Sequence, residues 1–194
     1  MFHADDGLAG YVRFLNASKS TTSPVIAVRR EDPESGVRCE IALQYTDSMA
    51  ETLLPFGNNI YNRDGGTHVT GFRRALTAAI NGYAKRANLF KEKDLVPTGD
   101  DLREGLTTVI SVKLPNPTFN NQTKEKLLNP EVEGFVVTVV SEQLGAWLEE
   151  NPSEAKGIVN RAKLAAEARE AARKARELIK RKGALDSGGM PHKL

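Results

Sequence analysis

The segment Phe119-Asn120-Asn121-Gln122-Thr123-Lys124 holds the chain's richest set of side chains for chemistry. It offers an ammonium, a hydroxyl and side-chain amides, and such donors suit a phosphate. The same composition also fits a solvated surface loop, because lysine is mostly exposed in folded proteins. The segment is not a phosphate-binding P-loop, since the glycines and the Gly-Lys-Ser/Thr ending are absent.

Other chemistry is sparse. Asp100 and Asp101 are adjacent carboxylates, but Thr98-Gly99-Asp100-Asp101 reads better as a capping box opening a short helix that Gly105 ends. Arg73 and Arg74 flank the apolar stripe of a long helix as rim residues with buried stems. No nucleophile–base arrangement is visible. One cysteine excludes a disulfide framework, and three scattered histidines, His3, His68 and His192, argue against a histidine metal site. Cys39 falls on the apolar face of a strand and reads as a small core residue.

The elements that must position these residues follow from periodicity. The stretch from Phe2 to Lys19 spaces Leu8, Tyr11, Val12 and Leu15 as a helix, and a Ser/Thr-rich connection follows to Pro24. Val25 to Arg30 is a short strand, and Glu31 to Gly36 is a turn. Val37, Cys39, Ile41, Leu43 and Tyr45 alternate with mostly polar residues, which predicts a strand with one apolar face. Glu51 to Asn58 reads as its hairpin partner, with Pro55 suggesting a sheet edge. Thr67 is the expected cap of a long helix carrying Val69, Phe72, Leu76, Ile80 and Tyr83. Leu106 to Leu114 is a strand closed by Pro115 and Pro117. The β-branched run at 135–140 favours a strand locally, but the helical spacing from Val132 to Leu148 predicts a helix over 131–150. Asn151 and Pro152 open a last helix to Lys182, where Gly183 can take a left-handed stop. Glu170–Lys174 and Glu177–Arg181 would support it at four apart. Such a helix is too long and too polar to be buried all round, so it reads as a strut.

The chain has 194 residues and is 40% hydrophobic, enough for a core without staples. No apolar run approaches the ~20 residues of a membrane span, and no basic-then-apolar leader is present, so a cytoplasmic protein without a membrane partner is expected. The net charge of +2 is uneven. Residues 152–182 hold 10 Lys and Arg against 4 Asp and Glu, a net of +6, whereas the remainder holds 17 against 21. A basic end on a mildly acidic body hints at a polyanion near that end.

Several stretches together resemble the transducer region of DNA gyrase B, the second domain of the GHKL ATPase arm in type IIA DNA topoisomerases. They are Asn58-Asn59-Ile60, Gly65-Gly66-Thr67-His68, Gly71-Phe72-Arg73, Arg103-Glu104-Gly105-Leu106 and Ile110-Ser111-Val112-Lys113. Collinear with these are Gln122-Thr123-Lys124, Lys126-Leu127 and Leu148-Glu149-Glu150-Asn151-Pro152. Ala171-Ala172-Arg173-Lys174-Ala175-Arg176 and Arg181-Lys182-Gly183-Ala184-Leu185 complete the run. The ending Met190-Pro191-His192-Lys193-Leu194 looks like the start of the family's TOPRIM domain, with His192 in place of the usual glycine.

The resemblance implies an α/β fold: a mixed sheet with helices on one side and a left-handed β-α-β crossover, followed by the long helix. It implies a transducer domain over 1–151, the basic helix over 152–182 and a linker over 183–194. No segment resembles the ATPase nucleotide boxes or the acidic TOPRIM cluster, so a fragment of a longer protein is expected, with Met1 an added start. The fragment alone would neither hydrolyse ATP nor cut DNA. By match, Lys124 contacts the γ-phosphate of ATP held by the neighbouring ATPase domain, Gln122 helps as a second catalytic residue, and Thr123 completes the binding loop. Mg2+ would be held by the absent domains. Arg73 matches an arginine facing the DNA cavity, and Arg169, Arg173 and Arg176 of the basic helix are expected to touch double-stranded DNA through phosphates. The implied partners are the ATPase and TOPRIM domains of the same polypeptide, DNA gyrase A and a second copy of gyrase B.

Three rivals stand beside this reading. The equivalent ATPase-bearing polypeptide of topoisomerase IV shares the pattern, although Arg181-Lys182-Gly183-Ala184-Leu185 leans towards gyrase. A stand-alone nucleic-acid-binding module of the same fold would bind tightly and with strong salt dependence. A scaffold that pairs its long helix with another protein ranks last, because Ile158, Ala162, Ala165, Ala172 and Ile179 form no sustained leucine seam.

Overall fold

The computed structural model describes residues 6–188. The readings placed on Met1, Phe2, His3 and residues 190–194 lie outside them. The described chain runs α1 (Gly7–Leu15), β1 (Ile26–Glu31), β2 (Arg38–Tyr45), β3 (Thr52–Gly57), β4 (Ile60–Tyr61), α2 (Thr67–Arg86), α3 (Gly99–Arg103), β5 (Leu106–Lys113), α4 (Pro130–Glu150) and α5 (Pro152–Ser187). The five strands form one mixed sheet in the order β1-β2-β5-β3-β4.

The expected hairpin between β2 and β3 does not form. β2 pairs antiparallel with β1 and β5, whereas β3 runs parallel to β5, with Leu54 opposite Val109 and Phe56 opposite Ser111. A parallel pair needs a long crossover, and α2 with α3 supplies it between β3 and β5. Pro55 therefore sits in an inner strand. It is tolerated because β4 pairs only with Phe56 and Gly57, and the Pro55 carbonyl still accepts from the Asn62 amide at 2.9 Å.

One sheet face carries Cys39, Ile41, Leu43, Tyr45, Ile110 and Val112 into the main core. Phe72, Leu76 and Ile80 of α2 and Val132, Val136, Val140 and Leu144 of α4 cover it. The β-branched run at 135–140 is thus helical, as length and spacing predict. Gly71 lets the two helices touch: a Cβ there would stand 2.7 Å from the Glu133 carbonyl oxygen.

Helices are not confined to one side. α1 packs on the opposite face, where Val12 meets Ala42 and Val109. This is why the second face of β2 is not left to solvent: Ala42 and Gln44 are buried too. Gln44 accepts from Asn16 Nδ2 at 3.0 Å, Asn16 Oδ1 accepts from Thr107 Oγ1 at 2.8 Å, and Gln44 Nε2 donates to the Ser23 carbonyl at 3.0 Å. The buried amides at the end of α1 are thereby satisfied.

Three capping expectations change. The cap position of α2 is Gly66, and the Thr67 hydroxyl one residue later has no hydrogen-bond partner. Asn151 stands at the cap of α5, but its amide donates backwards to the Trp147 carbonyl at 2.9 Å. Gly183 does not stop α5, which continues to Ser187 for 36 residues, about 54 Å at ~1.5 Å per residue. Glycine in a helix interior is disfavoured by only about 1 kcal/mol, so the helix-forming residues on both sides carry it through. The Thr98–Asp101 capping box of α3 forms as read.

Ala155, Ile158, Val159, Ala162 and Ala166 bury the first half of α5. Arg161 donates to the Ser48 carbonyl at 2.8 Å, and Lys163 pairs with Asp94 at 2.8 Å. From Ala171 to Gly188 every residue is exposed, as a strut requires. The ion pairs along it use Arg173, which bonds both Glu170 and Glu177, and not Lys174 or Arg181. Among the described residues no helix is long and apolar enough to cross a membrane.

Candidate functional site

The segment from Thr118 to Leu128 leaves β5 and returns to α4 as a small closed hairpin. Phe119 and Leu127 form an antiparallel bridge, and the Leu128 amide donates to the Thr118 carbonyl at 2.8 Å. Nearer the tip, the Asn120 amide donates to the Lys126 carbonyl at 3.2 Å, and Asn120 Oδ1 accepts from the Lys126 amide at 3.0 Å. At the tip, Asn121 organises the turn. Its Oδ1 accepts from Thr123 Oγ1 at 2.9 Å, its Nδ2 donates to Glu125 at 3.0 Å, and its carbonyl accepts the Lys124 amide at 3.2 Å. Asn121 thus builds the loop rather than facing a ligand.

The hairpin is also fastened sideways, by the segment that leads into α2. Gly66 and Leu127 form a parallel bridge, and the Asp64 amide donates to the Glu125 carbonyl at 2.8 Å. Asn62 Nδ2 donates to the Lys124 carbonyl at 2.7 Å, and Arg63 bonds Glu125 at 2.8 Å. The Asn121 hydrogen bond, with Arg63 beside it, holds the Glu125 carboxyl below its ordinary range. Gly66 is required here. Its φ is +143°, and a Cβ would lie 2.4 Å from the Leu127 carbonyl oxygen.

The structure brings Gln122, Thr123 and Lys124 together at the exposed tip. The Thr123 hydroxyl hydrogen is committed to Asn121. Lys124 takes a left-handed backbone, φ +56°, and its ammonium lies 5.7 Å from the centre of the Phe119 ring, within cation–π range. Among the described residues Lys124 enters no ion pair, and the Gln122 amide makes no hydrogen bond. The two groups fit a phosphate oxygen. By themselves they are too few to hold a nucleotide. Among the described residues no group of three His, Cys, Asp or Glu fits a metal ion.

The arginines lie elsewhere. Arg73 pairs with Glu51 at 3.0 Å, and Arg103 takes the other oxygen of Glu51 at 3.1 Å. Arg74 pairs with Glu133 at 3.1 Å. Arg169 is bound to the buried Asp101 at 3.1 Å. Glu51, Asp101, Arg103 and Arg169 line one open cleft, so the Arg73 network adjoins the base of the strut. Arg173 lies between Glu170 and Glu177, and Arg176 donates to the Ala172 carbonyl at 3.4 Å.

Nothing in the sequence marks Asn62, Glu51 or Asp101 as a partner of these residues. For Glu51 and Asp101 no local signal existed, because their partners are 22 to 68 residues distant. His68 was visible within Gly65-Gly66-Thr67-His68. The structure adds that it is fully buried, with Nε2 3.0 Å from Asn62 Oδ1 and Nδ1 unpartnered. Burial lowers its pKa to about 4.

The chain is similar to known proteins in both sequence and fold. A family model described as DNA gyrase B matches residues 7–178. The DNA gyrase B protein of Myxococcus xanthus is 48% identical over 196 residues, covering all of this chain and 24% of that relative. The 43K ATPase domain of Thermus thermophilus gyrase B, solved in complex with an aminocoumarin, is similar with a TM-score of 0.82 at 46% identity, over 89% of this chain and 46% of that one. The topoisomerase IV ATP binding domain of Francisella tularensis, in complex with a small-molecule inhibitor, gives 0.71 at 32% identity, over 87% of this chain and 44% of that one. The chain thus spans about a quarter of that curated relative and under half of either solved chain. With a family match over nearly all the described residues and close to half of the positions identical to such a relative, the chain belongs to the DNA gyrase B family.

Proposed function

We propose that this chain is the transducer of a DNA gyrase B, the ATP-hydrolysing part of a type II DNA topoisomerase that acts on double-stranded DNA together with gyrase A. Lys124 and Gln122 reach the γ-phosphate of ATP bound by an ATPase domain of the same polypeptide. The observation that carries this reading is the Lys124 side chain itself. A cation free of ion pairs among the described residues stands on a left-handed residue, at the tip of a loop fastened along two edges. Such a loop presents charge at a fixed place with little left to reorganise, which is what electrostatic stabilisation of a phosphoryl group requires.

A contact that exists only while the terminal phosphate is attached has differential affinity for two states, and so can shift an equilibrium between domain arrangements. In this proposal α5, which is rooted in the core and leaves it as a bare helix, carries the movement towards a TOPRIM domain at the DNA gate. The transducer covers 1–151 in the same proposal, with the basic helix and a linker after it, and the β3-to-β5 crossover has a left hand. Arg73, Arg169, Arg173 and Arg176 are proposed DNA contacts. Arg176 enters no ion pair among the described residues, whereas the other three would exchange acidic partners for phosphates. Dimerisation with a second copy, Mg2+ held by the flanking domains and a cytoplasmic site belong to the same reading. Higher identity to gyrase B than to the topoisomerase IV structure favours gyrase.

The test is DNA-stimulated ATP turnover by intact gyrase B with gyrase A, wild type against Lys124→Ala, with nucleotide binding measured alongside. Turnover is expected to fall roughly a hundredfold while binding largely survives. Unchanged turnover and supercoiling would remove the loop from the mechanism.

A further inference from the structure

We infer that Asn62 and His68 are positioning residues for Lys124, a buried two-residue clamp that sets the direction in which the loop presents its ammonium. The inference rests on the phosphate-contact reading of Lys124 given above.

The left-handed conformation of Lys124 is costly for a residue with a Cβ, and it persists only where the surroundings hold it. Within the loop, Asn121 receives the Lys124 amide. The Lys124 carbonyl has a different partner, Asn62 Nδ2 at 2.7 Å. These two bonds fix the peptide planes on either side of the Lys124 Cα, and the Cα–Cβ direction follows from them.

Asn62 is itself fully buried, and its second amide atom is used. Because Nδ2 donates to Lys124, Oδ1 is the atom facing His68 Nε2 at 3.0 Å. That oxygen is an acceptor only, so the imidazole must carry its hydrogen on Nε2. Nδ1 is then the bare nitrogen, which agrees with its having no partner. The histidine is thus held as one neutral tautomer, and its N–H stops the Asn62 amide from turning over. A turned amide would set its oxygen against the Lys124 carbonyl and its NH2 against the imidazole N–H, two repulsive contacts in place of two bonds. His68 lies in the first turn of α2, and Gly66 just before it is bonded to Leu127. The chain of contact therefore runs from a core helix under the sheet, through two side chains, to one backbone carbonyl of the loop.

The experiment uses intact gyrase B with gyrase A and DNA, and has two arms. In the first, trypsin nicks the nucleotide-free protein, and cleavage after Lys124 is followed. The bond cut is the one whose carbonyl Asn62 holds. Asn62→Asp keeps the acceptor for His68 and removes the donor to Lys124, and is expected to raise nicking at Lys124 roughly fivefold, the worth of one hydrogen bond. His68→Gln, whose amide can still donate to Asn62, is expected to stay near wild type, whereas His68→Ala behaves as Asn62→Asp does. In the second arm, Asn62→Asp lowers kcat for ATP with little change in KM, and adds nothing once Lys124→Ala is present. If Asn62→Asp does not fold, Asn62→Ser takes its place.

Wild-type nicking and kcat in the Asn62 variant overturn the clamp. Full additivity with Lys124→Ala overturns its action through Lys124. A Lys124→Ala enzyme of normal turnover overturns the phosphate reading instead, and nicking at Lys124 then decides alone whether the clamp exists.

Discussion

Arg169 of α5 closes on the carboxylate of Asp101 of α3, with Nε 3.1 Å from Oδ1 and Nη2 3.2 Å from Oδ2. The same carboxylate closes the capping box of α3, accepting the Thr98 amide at 2.9 Å. One buried side chain thus opens a short helix and pins the long one. The pin lies just beyond Ala166, the last buried residue of α5. It marks the point where the strut leaves the body.

Asp101→Ala removes both functions and should destabilise the fold by about 2 kcal/mol, a Tm loss of roughly 4–8 °C. Burial pushes the Asp101 carboxyl up, but the hydrogen bonds from Arg169 and Thr98 together hold it below its ordinary 3.8. Its contribution is therefore present above that value and lost as pH falls through the folded pKa. Thermal melts of wild type and variant should differ fully at pH 7 and converge well below pH 3.8. A constant difference at all pH values would mean that the carboxylate charge is irrelevant.

Two glycines should respond in opposite directions to alanine. At Gly66 the backbone has φ +143°, and a Cβ would meet the Leu127 backbone at 2.4 Å. Gly66→Ala should cost upwards of about 3 kcal/mol, or prevent folding, because strand-like pairing with the loop and the start of α2 both depend on that approach. Gly134 lies on the outer side of α4, and nothing stands within 4 Å of a Cβ there. Gly134→Ala should add about 0.5–1 kcal/mol. Urea midpoints measure both, and a loss at Gly134 would contradict the open geometry.

The sequence is legible where the signal is periodic and local. The α4 spacing from Val132 to Leu148, the α3 capping box and the alternation of β2 each describe one element, and each is found. It fails where the decision is made by a distant partner. Nothing near Thr52–Gly57 says that this strand will pair parallel with one about 55 residues on, at Thr107 opposite Thr52, so the nearer antiparallel partner is the natural guess. Val12 does not announce that α1 will cover the second face of β2, and with it Ala42. At the site, the residue types of Gln122-Thr123-Lys124 are legible as phosphate donors. The resemblance, not the spacing, gives them a role. Asn62 could not be found, because its donor meets a backbone carbonyl 62 residues away that leaves no trace in side-chain pattern.

Cys39 should be inert in the folded chain. Burial, with the charge of Glu40 beside it, pushes its thiol up to about 12, and the side chain lies in the main core facing Val112. Alkylation needs the thiolate and access, and the native state provides neither. Iodoacetamide labelling at a mildly alkaline pH should therefore track global unfolding, with a urea midpoint coincident with that of circular dichroism. Labelling well below that midpoint would show that the β1–β2 end of the sheet opens on its own.

His68 gives the fold a second, separate pH window. It is fully buried, enters no ion pair among the described residues, and a proton placed on its Nδ1 would find no acceptor. Burial therefore lowers its pKa from 6.5 to about 4. Between those values the unfolded chain binds the proton and the folded chain does not, so stability falls as pH drops from 6.5 towards 4. Integrated over that window, the loss is about 3 kcal/mol. His68→Gln keeps a donor for Asn62 but cannot titrate, and it should lack this loss over the same range. Urea denaturation at pH 7, 6, 5 and 4 separates the two, since Asp101 and the other carboxyls titrate alike in both proteins. The diagnostic is the difference between the proteins: it should grow from near zero at pH 7, and parallel curves would show that the imidazole is reached by water or by a base.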